Sequence, residues 1–154
     1  HNIFSLDVLD SKLAQVADMG AHPINVSQVD PREEIYRVTN GLTATGVFEA
    51  VGSSATVRNA YDLLGPGGKL VLIGNLASEF SLPLQGITDQ EITIYGSYGF
   101  SQTDFPEAVK LINDKAVPVE SMISGHCTLE ETPEVMTSLA RGELEALKMV
   151  ITFD

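Results

Sequence analysis

Apolar residues along the chain come in short runs separated by stretches with helical spacing, the alternation expected of βαβ units around a parallel sheet. Asn2 to Val8 reads as a first strand that closes on an acid. Asp10 or Ser11 is placed to cap the next helix, whose apolar face holds Leu13, Val16 and Ala17 and which Gly20 stops. Pro23 to Val26 is a second brief strand. Asp30-Pro31 with Glu33 and Glu34 makes a strong helix start: a cap, a proline in the first turn and acids at the positive end of the dipole. That helix ends near Gly41.

Gly46 to Val51 forms a third strand that runs into Gly52-Ser53-Ser54. The following helix places Val57, Ala60, Tyr61 and Leu64 on one buried face. Gly65-Pro66-Gly67-Gly68 reads as a turn, and Lys69 to Gly74 as a continuous apolar strand suited to the centre of a parallel sheet. Phe80, Leu82 and Leu84 alternate with polar residues around Pro83, and Glu91 to Tyr95 alternates too. Thr103 or Asp104 is positioned to cap a helix with Phe105, Ala108, Val109 and Ile112 on one side. After Asp114 the pattern changes to a strand, Ile123 to Thr128, then a helix that Gly142 ends, then a last strand, Lys148 to Phe153. Thr128 and Glu131 stand at capping-box spacing before that helix.

A chain of 154 residues is long enough to bury a core, and 44% hydrophobic with 19% charged residues is the composition of an ordinary globular protein. No apolar run approaches the ~20 residues that span a bilayer. His1 to Asp10 has neither a basic region nor a cleavage-site pattern, so no secretory signal is expected there. A lone cysteine, Cys127, rules out an internal disulfide and suits a reducing cytoplasm, the expected location. The net charge of −12 argues against nucleic acid as a partner. It leaves room for a small anionic ligand, because helix N-termini and glycine turns hold phosphate without net positive charge. None of His1, His22 and His126 has ligand spacing. His126 and Cys127 are adjacent, so an alternating strand points them to opposite faces, which makes a poor shared metal site.

Three stretches, in order, resemble the coenzyme-binding domain of zinc-type medium-chain dehydrogenases: Ser5 to Ala21 (SLDVLDSKLAQVADMGA), Gly46 to Gly74 (GVFEAVGSSATVRNAYDLLGPGGKLVLIG) and Glu91 to Ile112 (EITIYGSYGFSQTDFPEAVKLI). The tail GELEALKMVITFD resembles the family's last strand. The resemblance implies a partial Rossmann-type, doubly wound parallel α/β sheet over residues 1–114, from the second strand onward. A strand-helix-strand segment, 115–154, would then return to the family's catalytic domain. It also implies NAD as cofactor and a small alcohol or polyol as substrate of the parent enzyme, with the sorbitol and polyol branch nearest in form. In such enzymes the substrate oxygen binds zinc, which lowers its pKa, and hydride passes to the nicotinamide.

The physical chemistry of the matched residues points the same way. An acid at the C-terminal end of the second strand of a dinucleotide fold accepts hydrogen bonds from the adenosine ribose diol and repels the 2′-phosphate of NADP, so Asp7 favours NAD. The alternative is that Asp7 and Asp10 serve only as acids at a helix start. Lys12, one turn on, reaches toward ribose or pyrophosphate, or is a solvated surface lysine. Val51-Gly52 and Ile73-Gly74-Asn75 end two parallel strands, where ligands bind in open α/β sheets and where glycine lets backbone approach closely. The resemblance assigns these turns to the adenosine and nicotinamide sides of the coenzyme; ordinary strand-to-helix turns want glycine as well. By the same resemblance Ser97 and Tyr98 bind the nicotinamide carboxamide through backbone, and Lys148 lies near the pyrophosphate or is an edge-strand charge. Glu49 sits in a strand facing the coenzyme region with no evident partner.

The resemblance also implies parts that this sequence does not contain: the catalytic zinc ligands, a four-cysteine structural zinc lobe, and the first strand with its Gly-x-Gly-x-x-Gly turn. With sheet order 3-2-1-4-5-6 the first strand lies in the middle. The strand at Asn2 to Val8 then has no neighbour toward the strand at Gly46 to Val51. The expectation is therefore a remnant of a longer polypeptide, inactive alone, with its metal sites elsewhere. Family dimers or tetramers join through edge strands, for which Phe80 to Leu84 and Glu91 to Tyr95 are the candidates here. Two rivals stand beside this reading. One is an S-adenosylmethionine-dependent methyltransferase, which shares the acid after the second strand and the Leu64 to Gly68 turn but usually ends in an antiparallel hairpin. The other is a non-catalytic dinucleotide-binding or dimerisation module.

Overall fold

All strand pairing among the described residues, 2–153 of the computed structural model, is parallel. His1 lies outside these residues. The chain divides into two units, His1–Gly99 and Phe100–Asp154. The first contains β1 (Phe4–Asp7), α1 (Asp10–Asp18), β2 (His22–Asn25), α2 (Pro31–Thr39), β3 (Ala44–Glu49), α3 (Ser54–Asp62), β4 (Leu64–Leu72), α4 (Leu84–Asp89) and β5 (Thr93–Gly96). Its strands form two sheets, β1-β2 and β3-β4-β5. The break falls between β1 and β3, where the sequence leaves a gap in the expected order. Side chains from both sheets nevertheless meet in one apolar cluster: buried Ile24, Ile35 and Leu63, with Phe4, Leu6, Ala44 and Val47 packed against it. A second cluster, Ala60, Tyr61, Leu64, Leu70 and Ile92, lies between α3 and the three-stranded sheet. Leu70, in the central strand, is fully buried at 0% exposure, as the apolar run around it predicts.

The second unit has α5 (Asp104–Asn113), α6 (Val119–Met122), β6 (Ile123–Thr128), α7 (Thr132–Ala140) and β7 (Lys148–Thr152), with β6 and β7 paired in parallel across α7. This is the strand-helix-strand segment expected at the tail, and it is not the antiparallel hairpin with which methyltransferases usually close. The pair Thr128 and Glu131 forms its box: Thr128 N–H donates to Glu131 Oε2 at 2.9 Å, and Glu131 N–H to Thr128 Oγ1 at 3.3 Å.

Four expectations need correction. Phe80 to Leu84 is not a strand: Leu82 packs under α3, Pro83 precedes α4, and a proline has no amide to give a ladder. Gly86 makes this helix possible, since a Cβ there would lie 2.2 Å from the Tyr61 hydroxyl. Gly65 to Gly68 is not a free turn but a bulge inside β4. Ala44 pairs with Leu64 and Gly46 with Lys69, so the four glycine- and proline-rich residues sit opposite Thr45 alone. At α1 neither Asp10 nor Ser11 is the cap. Leu9 holds that position without a side-chain bond, while Asp7 Oδ1 accepts the amides of Val8 and Leu9. At α5 Thr103 does hold the cap position, but its side chain makes no capping bond; Ser101 Oγ accepts the Thr103 and Asp104 amides instead, and Ser101 N–H donates to Asp104 Oδ2 at 2.7 Å. Asp30, by contrast, caps α2 as expected, accepting from Arg32 and Glu33.

Candidate functional site

The strongest convergence of sequence-predicted residues lies where β3 and β4 end. Gly52, at φ +80°, and Gly74 meet backbone to backbone: a Cβ on Gly52 would fall 2.2 Å from the Asn75 nitrogen, and one on Gly74 2.2 Å from the Gly52 nitrogen. No side chain larger than hydrogen fits at either position. The glycines are thus required first by each other. Beside the crossing, Val51 and Ile73 stand 54% and 48% exposed, giving this end of the sheet an apolar surface of the kind a flat ring can rest on. The turn continues through Gly52 C=O, which accepts the Ala77 amide at 2.8 Å, and into the Ser53–Thr56 capping box of α3.

Glu49 is the residue that sequence reasoning saw without a role. It is buried to 4% exposure, and its carboxylate accepts the Val51 amide at 2.9 Å and the Gly52 amide at 3.0 Å through Oε1 and at 2.9 Å through Oε2. Its own carbonyl accepts Ile73 N–H at 2.8 Å and Gly74 N–H at 3.0 Å. One residue therefore ties both glycine turns. The available signal was an acid inside the otherwise apolar GVFEAV strand, three positions before a glycine.

The neighbouring strand β5 brings Ser97 to the same edge, with Ser97 N–H donating to Leu72 C=O at 2.9 Å. That amide is spent on the sheet. Tyr98 is 95% exposed. The ends of β3, β4 and β5 thus carry Val51-Gly52, Ile73-Gly74-Asn75 and Ser97-Tyr98 side by side.

Asp7 ends β1 in the other sheet. Its Oδ1 is committed to the Val8 and Leu9 amides at 2.7 and 3.0 Å, and its Oδ2 faces Lys12 Nζ at 3.8 Å. The acid therefore shapes its own helix entry, while its second oxygen has only the long contact to Lys12. Asp10 turns instead to β2, accepting from Asn25 Nδ2 at 2.6 Å and Gln28 Nε2 at 3.4 Å. An open depression of about 420 Å³ at this end of β2 is lined by Asp10, Leu13, Asn25 and Gln28 among others, and includes neither Asp7 nor the glycine turns.

In the second unit Lys148 opens β7, paired with Ile123. Along β6, His126 is exposed and Cys127 buried, the opposite faces that strand alternation requires. His22 stacks on Phe4 with ring centroids 5.2 Å apart. Among the described residues no three His, Cys, Asp or Glu side chains come together to hold a metal, and no helix is long and apolar enough to cross a membrane.

Comparison with known proteins places these features in a family. The sequence model described as "Zinc-binding dehydrogenase" matches residues 1–114. The chain is 30% identical over 152 residues to sorbitol dehydrogenase of Bacillus subtilis, covering 97% of this chain and 42% of that protein. It is 29% identical over 113 residues to D-xylulose reductase of Scheffersomyces stipitis, covering 72% and 31%. Among solved structures, the alcohol dehydrogenase TADH from Thermus sp. ATN1 superposes with a TM-score of 0.87 at 28% identity, over 99% of this chain and 44% of that one. The chain thus spans less than half the length of these relatives. With the dehydrogenase match the methyltransferase alternative falls away. The parallel α/β architecture, the paired glycine turns and these matches together show that the chain belongs to the zinc-binding dehydrogenase family of medium-chain alcohol and polyol dehydrogenases.

Proposed function

We propose that this chain is the coenzyme-binding portion of an oxidoreductase that moves hydride between a secondary alcohol or polyol and NAD. The observation that carries the reading is the row of three parallel strand ends bearing Val51-Gly52, Ile73-Gly74-Asn75 and Ser97-Tyr98, with an acid closing the first strand. Asp7 Oδ2 would accept from the adenosine ribose diol in place of its long contact to Lys12, and its charge would turn away a 2′-phosphate. Lys12, released, would answer the ribose or the pyrophosphate. Val51 and Ile73 would pack on the coenzyme's flat rings, and Ser97 would meet the carboxamide through its carbonyl. NAD, when bound, supplies the hydride acceptor; the residues here bind and orient it. No catalytic residue is assigned among the described residues.

The polyol branch is the proposed substrate class, on the strength of the sorbitol and xylulose relatives. The proposed setting is cytoplasmic and oligomeric. β5 ends the three-stranded sheet with no partner on its outer side among the described residues, and a second copy would pair there. Calorimetry tests the core proposal: NAD is expected to bind at least tenfold more tightly than NADP, and Asp7→Ala to narrow that ratio. Equal affinity for the two coenzymes, or none for NAD, would overturn it.

A further inference from the structure

Glu49 carries more than its own strand end. A carboxylate at 4% exposure is costly unless its charge is fully answered, and among the described residues no ion pair involves it. It is answered instead by the Val51 and Gly52 amides on the carboxylate, while the Glu49 main-chain carbonyl separately accepts the Ile73 and Gly74 amides. An aliphatic residue would close a strand without that cost, so the carboxylate matters to the β3 turn it holds, against which the β4 turn is seated. The amides it takes belong to the turn that precedes the Ser53 cap of α3 and are donors a ligand anion could otherwise use. With an internal anion already in place, this turn presents shape and apolar surface to a ligand rather than anion-binding donors.

We infer that Glu49 is a positioning residue for the coenzyme: through its side chain and its carbonyl it locks the β3 and β4 turns together, fixing the spacing at which the two halves of a dinucleotide meet them. This rests on the coenzyme-binding reading above. A ligand spanning both turns gains from their fixed spacing, because engagement of one half holds the other at its own turn. A mononucleotide uses one turn and gains nothing from the lock.

The discriminating experiment is calorimetry of the 154-residue chain and its Glu49→Gln variant with NAD and with AMP, at a temperature where both are folded. The variant keeps one acceptor but turns an amide donor toward the Gly52 N–H. NAD is expected to weaken tenfold or more while AMP stays within twofold. A purely structural role would leave the ratio of NAD to AMP affinity unchanged, and an unchanged ratio overturns the inference. If the unsubstituted chain binds AMP and NAD equally, or binds neither, the coenzyme reading fails and the inference with it; if it binds NAD more tightly and the variant does the same, the inference alone fails. Should Glu49→Gln not fold, hydrogen exchange on the unsubstituted chain decides. One shared opening for the Val51, Gly52, Ile73 and Gly74 amides supports the lock, and separate openings for the two turns refute it.

Discussion

The two units of this chain answer the same kind of sequence pattern differently. In His1–Gly99 the helical periodicity of α3 is matched by burial: Val57, Ala60 and Tyr61 are all inside, against a sheet whose central Leu70 has no exposure. In Phe100–Asp154 the periodicity of α5 is at least as clean, yet Phe105, Val109 and Ile112 remain 57%, 40% and 45% exposed, and Cys127 is the only buried hydrophobic residue described there. An apolar stripe predicts a helix and a face that needs cover. It does not say which polypeptide segment covers it.

That contrast can be broken most decisively at Leu70. Leu70→Ala is expected to cost about 3–4 kcal/mol, seen as a lower urea midpoint at unchanged slope; a loss below about 1 kcal/mol would mean the first unit has no tight core. Gly74→Ala comes next. Its new Cβ would meet the Gly52 nitrogen at 2.2 Å, backbone against backbone, and about 3 kcal/mol of stability should go. Ser53→Ala removes the hydroxyl that accepts the Thr56 amide at 3.1 Å and should cost about 1 kcal/mol by the same denaturation. In the second unit Val109→Ser should change stability by no more than ~0.5 kcal/mol. A loss comparable to that of Leu70→Ala would show that α5 is covered after all.

The smallest effect is one of pH. Asp104 is held below its ordinary value of 3.8, first by the Ser101 amide and then by the Ser101 hydroxyl. Its contribution to the start of α5 is therefore complete above 3.8 and is lost as pH falls through the lowered value. Carboxyl NMR should show Asp104 titrating later than a free aspartate on acidification, and Ser101→Ala should return it toward the ordinary value.

Most of the strand-and-helix order was legible because each strand in the first unit ends in residues with one plain reading: an acid, a glycine, or a capped helix start such as Asp30-Pro31. The errors cluster where local and tertiary demands share residues. Phe80, Leu82 and Leu84 have strand spacing, but Leu82 obeys the cluster under α3 and Gly86 yields to Tyr61, neither of which is visible along the chain. At α1 and α5 the cap positions fall to Leu9 and Thr103, which make no side-chain bond, while Asp7 and Ser101 upstream take the amides at each helix entry. In the site, glycine at 52 and 74 signals a close approach, but sequence does not say to what, and the body approached is first of all the other turn. Glu49 was visible as an anomaly; its partners are amides, which every residue carries, so no side-chain pattern could reveal them.

The bulge at Gly65–Gly68 has a practical corollary. Four residues sit opposite Thr45, with Pro66 and Gly67 exposed and the Gly67 amide donating to the Gln90 carbonyl at 2.7 Å, and regular pairing resumes at Lys69. Length at this end of β4 is absorbed before the ladder restarts, whereas the opposite end is seated with no slack at all. A short graft, such as a fluorophore-bearing peptide between Pro66 and Gly67, should be accommodated there without disturbing the far rim, which makes this corner a natural handle for following the chain in solution.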